Sequence, residues 1–344
     1  MSDFTIFLID AAVKALIVVL TLTGGFAYTT VLERRFIARL QVRIGPNRAG
    51  PWGLFQPVAD GLKLFVKEDI IPEEADKLIF TLAPAITIIP SLIILAVVPL
   101  GGDVTLPFIN HTTSLGVADI NVGVLYILAV ASIAVYGIVL AGWSSNNKYA
   151  MLGGLRSTAQ MISYELALGL SLLAPVMVVG SMSIGDIVDA QTNIWMFFMQ
   201  PVAAVIFVIA VFAETNRAPF DLPEAEQELT AGYHAEYSGM KFAGFYMAEY
   251  IKMIAVSAIA ASMFFGGYRL FGLENLLGGW MAPLILLGKI VLGLMLFVWV
   301  RATLPRLRYD RLMAFGWKIL LPVSLANVAV TAVLLVTGLY PSLG

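Results

Sequence analysis

The sequence predicts an all-α polytopic membrane protein with eight transmembrane helices, one interfacial amphipathic helix and the N-terminus outside. Three observations carry this expectation. Of 344 residues, 59% are hydrophobic and only 13% are charged, with a mean hydropathy of +0.87, which is outside the range of soluble globular chains. Apolar windows of about twenty residues, the length needed to cross a hydrocarbon core, recur along the whole chain. Lys and Arg are sorted almost entirely to one side of those windows. Residues 1–344 are therefore read as a single integral membrane domain.

The windows fall near 4–29, 78–100, 120–142, 157–181, 194–213, 242–266, 281–303 and 317–340. The opening MSDFTIFLIDAAVKALIVVL lacks a basic leader and a small-residue cleavage site, so it reads as a retained first helix. With the N-terminus outside, the inner loops hold Arg34, Arg35, Arg39, Arg43, Arg48, Lys63, Lys67, Lys77, Lys148, Arg156, Arg217, Lys241, Arg301, Arg306, Arg308, Arg311 and Lys318, whereas the outer loops hold only Arg269. The positive-inside rule sets the orientation from that asymmetry.

Between the first two windows, residues 52–69 place Trp52, Phe55, Val58, Leu62, Phe65 and Val66 at helical spacing, with Asp60, Lys63 and Lys67 elsewhere around the turn. That is the pattern of a helix lying in the interface plane. Pro84, Pro90, Pro175, Pro201 and Pro322 fall inside or near the ends of spans and predict kinked or locally unwound helices.

Composition excludes several chemistries. The chain has no cysteine and only two histidines, His111 and His234, so it holds no thiolate-bound iron–sulfur cluster and no bis-histidine haem. Any redox centre belongs to a partner, and no catalytic residue or metal site is expected here. Net charge is −2, and nothing supports a nucleic-acid partner. The basic segment 33–53, ERRFIARLQVRIGPNRAGPWG, has the glycines and prolines of an ordered turn; taken alone it could anchor lipid headgroups. It lacks the spacing of a phosphate loop.

Ionisable residues within spans are costly, by roughly 2.5–3.5 kcal/mol on insertion scales, and mark a pathway or a partner. Asp10 and Lys14 are four apart and suit a local ion pair, and Lys289 has no evident sequence partner. Glu165, Glu214 and Glu249 lie on three successive spans, with Lys252 three residues after Glu249. Next to them, ETNRAPFDLPEAEQELTAGYHAEYSG (214–239) adds Asp221, Glu224, Glu226, Glu228 and Glu236, with Arg217 as its only Lys or Arg. Each carboxylate alone could be a structural hydrogen-bonding group, and the loop alone a solvated face. Together they suggest crowded like charges that raise one another's proton affinity, as a proton relay requires.

Four segments in order, QVRIGPNRAGPWGLFQPVADGLKLFVKE (41–68), GWSSNNKYAMLGGLRSTAQMISYE (142–165), the acidic stretch and ATLPRLRYDRLMAFGWKILLP (302–322), resemble the quinone-chamber membrane subunit of respiratory complex I over nearly the whole chain. The resemblance implies a subunit of a proton-translocating NADH:ubiquinone oxidoreductase in a bacterial inner membrane, or alternatively a mitochondrial one. Ubiquinone would be the substrate, with iron–sulfur clusters and FMN in partner subunits. Those partners would be the peripheral-arm quinone-site and iron–sulfur subunits and adjacent small membrane subunits, with lipid around them. The resemblance assigns Glu33, Arg34, Asp60, Lys63, Phe245, Tyr250 and Arg306 to the quinone passage. It assigns Glu165, Glu214, Asp221, Glu224, Glu226, Glu228, Glu236 and Glu249 to a proton path. The alternatives are the equivalent subunit of a membrane-bound hydrogenase-type complex and a stand-alone proton-coupled transporter.

Overall fold

The computed structural model describes residues 3–106, 111–221, 232–272 and 281–340. Helix α1 runs Asp3–Leu40, 38 residues or about 57 Å at the usual rise, so it overruns a ~30 Å hydrocarbon core. The sequence window ends at 29, but LERRFIARL continues with strong helix formers. The helix stops only before Gly45 and Pro46, where Val42 takes φ 55°. Helix α2, Gln56–Val66, has no buried residue, and Val58, Leu62, Phe65 and Val66 are all exposed, as the amphipathic reading requires.

Helix α3, Lys77–Ile93, contains Pro84 and Pro90, and the Asp76 carboxylate caps its N-terminus by accepting from the Leu78 and Ile79 amides. A hairpin follows: β1, Asp103–Leu106, pairs antiparallel with β2, His111–Ser114. Sequence reading assigned no strands, because runs of four residues are too short to show the strand period. Helix α4 spans Gly123–Ser144. Helix α5 spans Lys148–Val179 and begins nine residues before the apolar window, since Asn147 caps it from outside that window. Gly153 is obligatory: a Cβ there would come within 2.7 Å of the Gly232 Cα. After α5 come the short α6, Ile184–Ala190, and the single turn α7, Met196–Met199.

Among the described residues, seven helices are long and apolar enough to cross a membrane. The fifth expected span is the exception. It breaks at Gln200 (φ −129°, ψ 56°) and resumes as α8, Pro201–Glu214, only 14 residues or about 21 Å. The C-terminal end of α8 meets Gln160, 12 residues beyond the first residue of α5, roughly 18 Å along that helix. The helix therefore stops inside the bundle, and residues 215–220 turn within it.

Helix α9, Gly239–Phe264, is almost wholly buried. It packs against α1, α3, α8 and α10, Ala282–Thr303. The last span is helix α11, Tyr309–Phe315, a π-helical turn at Gly316–Leu320, and α12, Leu321–Val336. It is fastened to α5 by Tyr164, which donates to the Leu312 carbonyl at 3.0 Å, and by Trp317, which donates to Ser163 at 3.1 Å.

Candidate functional site

The early stop of α8 puts Glu214 and the following turn into the protein interior. Arg217 in that turn is 5% exposed. Its Nε lies 2.5 Å from a Glu249 carboxylate oxygen and its Nη1 lies 3.5 Å from Glu33. The guanidinium carbon sits 4.4 Å over the Tyr250 ring, a cation–π contact in a desolvated setting. Burial works against the Arg217 charge, but Glu249, Tyr250 and Glu33 outweigh it and hold the guanidinium above the ordinary arginine value.

Glu33, 4% exposed, comes from α1. It accepts from the Tyr250 hydroxyl at 2.7 Å and also pairs with Arg301 at the end of α10. On the other side of α9, Lys252 lies 2.9 Å from the Glu214 carboxylate and also donates to the Glu214 carbonyl at 3.3 Å. A helix C-terminus favours a cation. Glu165, half-buried on α5, accepts from Ser132 of α4 and is within electrostatic reach of Glu214 and Lys252.

This arrangement adds cations to the expected line of carboxylates. Glu33, Glu214 and Glu249 do not simply crowd together, because each touches a cation and their partners Arg217, Arg301 and Lys252 balance them in number. Buried carboxylates persist when paired in this way. Lys252 pairs with Glu214, and Arg217 pairs with Glu249. Among the described residues only Glu165 of this group has no ion-pair partner.

Glu214, Glu249 and Lys252 line a small space of about 30 Å³, together with Thr87, Ser91, Asn216 and Phe245. That volume has room for roughly two waters beside both carboxylate pairs. A second, open cavity of about 540 Å³ is lined by Glu33, Arg34, Gln41, Arg43, Tyr250 and Arg301, and it forms a polar mouth at the C-terminal end of α1. A third, largely apolar cavity of about 530 Å³ runs between α1 and α10 from Lys14 to Leu32 and ends one residue from Glu33.

The remaining expected residues sit around this cluster. Arg34 pairs with Asp60 at 2.6 Å, tying α1 to α2, and Gln56 donates to the same carboxylate at 3.0 Å. Lys63 is exposed on α2. Arg306 pairs with Asp221 at 3.1 Å, so a residue expected at the quinone passage meets one expected on the proton path. Glu236 accepts from Asn147 at 2.6 Å at the start of α5, away from the cluster. Phe245 packs edge-on against Tyr233 and Tyr237 and lines the small space rather than the mouth. Glu224, Glu226 and Glu228 lie outside the described residues.

Sequence reasoning did not assign Arg217 or Arg301 to the site. Arg217 carried a signal as the lone Lys or Arg of an acidic stretch, but Arg301 carried none beyond its place at the end of a span. Asp10 and Lys14 do pair, at 2.6 Å, and both contact Thr113 of the hairpin. Lys289 donates to the Phe265, Gly267 and Arg269 carbonyls at 2.6–2.7 Å.

The family described as NADH dehydrogenase matches residues 13–332. The H-type subunit of NADH-quinone oxidoreductase from Protochlamydia amoebophila is 52% identical over 89% of this chain and 91% of the relative. The corresponding protein of Dehalococcoides mccartyi is 49% identical over 96% and 88%. The chain belongs to the family of H-type subunits of NADH-quinone oxidoreductase. Within this family member, the described parts of the four resembling segments converge on one end of the bundle: the α1–α2 turn, the start of α5, the Glu214 turn, and the stretch from Thr303 into α12.

Proposed function

We propose that this chain is the membrane subunit of a proton-translocating NADH:ubiquinone oxidoreductase that forms much of the ubiquinone entrance and binding tunnel and links quinone reduction to proton translocation through buried carboxylates. The observation that carries this reading is one guanidinium, Arg217, touching both Glu33 at the polar mouth and Glu249 beside the small space. A change of charge or position at the mouth is thereby felt at Glu249. From there the two-water space and the Glu214 and Lys252 pair lead toward Glu165. This chain's own residues bind, orient and exchange protons; electron transfer belongs to the iron–sulfur clusters and FMN of partner subunits.

In this reading Glu33, Arg34, Asp60, Lys63, Phe245, Tyr250 and Arg306 serve the quinone passage, with Arg217 and Arg301 added to that set. Glu165, Glu214 and Glu249 form the proton path, joined to the cavity by Asp221, Glu224, Glu226, Glu228 and Glu236. The chain is a single membrane domain crossing eight times, with α7 and α8 together as the fifth crossing. Its N-terminus is outside and it lies in a bacterial inner membrane. Peripheral-arm quinone-site and iron–sulfur subunits cover the basic inner face, and small membrane subunits lie alongside.

The test is affinity purification of the tagged chain from native membranes. Co-purifying flavin and iron–sulfur subunits with NADH-driven quinone reduction are expected. A nickel subunit without quinone activity, or a chain that purifies alone and transports protons, would overturn the reading.

A further inference from the structure

Arg217 reaches both carboxylates only if the turn that carries it keeps its place, and a single side chain spans that turn. Gln160 of α5 is fully buried. Its Nε2 donates to the Ala213 carbonyl at 2.7 Å and the Phe220 carbonyl at 2.8 Å, with the Asn216 side-chain oxygen at 3.3 Å. One amide thus joins the two ends of residues 213–220, and Glu214 and Arg217 lie between them. The rest of the same α5 face holds the turn further. Asn216, at φ 52°, donates to Ser157 at 3.2 Å, and the Phe220 ring packs 5.5 Å from that of Tyr164.

The Ala213 carbonyl belongs to the last turn of α8, where helical acceptors run out of regular intrahelical partners, and the Asn216 amide reaches it only at 3.4 Å. Gln160 supplies the shorter bond, 2.7 Å, from a helix which, five residues later, carries Glu165. The Gln160 Oε1 has no hydrogen-bond partner among the described residues. A buried acceptor left unpaired works against stability, and an apolar side chain of the same length would avoid it. The two donated bonds are therefore what distinguishes glutamine at this position.

We propose that Gln160 is a positioning residue that holds Arg217 between Glu33 and Glu249 by clamping the ends of the 213–220 turn. This rests on the proposed function, since it assumes that the Arg217 bridge serves quinone-linked proton transfer.

The experiment is a double-mutant cycle in native membrane vesicles containing the assembled complex, with Gln160→Met, Arg217→Lys and the two combined. Gln160→Met keeps length but removes both donors. Loss of a buried bond of this kind should lower quinone-dependent turnover about tenfold. NADH oxidation by an artificial acceptor and assembly on a native gel should be unchanged.

If Gln160 acts through Arg217, the double variant should fall no more than about twofold below Arg217→Lys alone, because coupled sites are not additive. Both single variants should also change kcat and the apparent KM for a short-chain quinone in the same ratio. Multiplying effects, different ratios, or parental turnover in Gln160→Met would overturn the inference. If Gln160→Met does not assemble, the shape-preserving Gln160→Glu takes its place in the cycle. Failure of both to assemble would overturn the positioning role in favour of a folding one. Parental turnover in Arg217→Lys would instead remove the proposed function itself, and this inference with it.

Discussion

Replacing Arg217 by Met should separate the polar mouth from the buried carboxylates. Arg217 is the cation paired with Glu249 and one of two paired with Glu33. Met fills much of the same volume without charge. Removing one partner of a buried ion pair costs about 3–5 kcal/mol. The lower end applies here, because the Glu249 side chain is 13% exposed and borders a space that admits water. At 1.36 kcal/mol per decade, ~3 kcal/mol expressed in the quinone-linked step lowers turnover about 150-fold. Arg217→Lys should lose less, about tenfold, since an ammonium keeps the charge but not a planar fork that reaches two carboxylates. Turnover would be measured as NADH-driven quinone reduction and proton uptake in inverted membrane vesicles, with artificial-acceptor activity and native gels as controls for assembly. An assembled Arg217→Met complex with quinone turnover within twofold of the parent would refute the reasoning.

Glu165→Gln, Glu214→Gln and Glu249→Gln keep size and hydrogen bonding but cannot titrate, so each should assemble while quinone turnover and proton uptake fall together. Parental pumping in all three would make these carboxylates structural. Breaking the Arg34 and Asp60 pair by Asp60→Asn should raise the apparent KM for quinone only two- to five-fold, because the Arg34 side chain is 51% exposed and such pairs contribute about 0.2–1 kcal/mol. An unchanged KM would remove this pair from the passage. Lys289→Met strips a cation from three carbonyls and should reduce the amount and heat resistance of assembled complex by a few kcal/mol, leaving turnover per assembled complex unchanged. A change in turnover with normal assembly would contradict a structural role for Lys289.

Hydropathy alone located seven of the helices to within a few residues at most of their apolar cores, because a bilayer requires continuous apolar length whatever the neighbours are. The same requirement made Glu165, Glu214 and Glu249 visible as ionisable groups in apolar surroundings. The amphipathic α2 was legible because its Val58, Leu62, Phe65 and Val66 face away from the rest of the chain, so its pattern reports the apolar boundary of an interface rather than a packing partner. Polar extensions were missed at both Glu33–Leu40 of α1 and the first nine residues of α5, since a hydropathy window reads lipid contact and not helix.

What tertiary structure alone decided is which charge meets which. Arg217 lies 184 residues from Glu33 and Arg301 lies 268 from it, and no periodicity connects positions so far apart. Glu249 and Lys252 are three apart on one helix and looked like partners, but a turn from a different segment placed Arg217 against Glu249 and left Lys252 to Glu214. The end of α8 near residue 213 was legible, but the break at Gln200 that shortens it to 14 residues was hidden. Residues 201–213 are apolar throughout, and past them Gln160, buried on another helix, donates to the Ala213 and Phe220 carbonyls across the turn. Sequence sets which residues must avoid lipid; packing of distant segments sets the short-range contacts on which buried electrostatics depend.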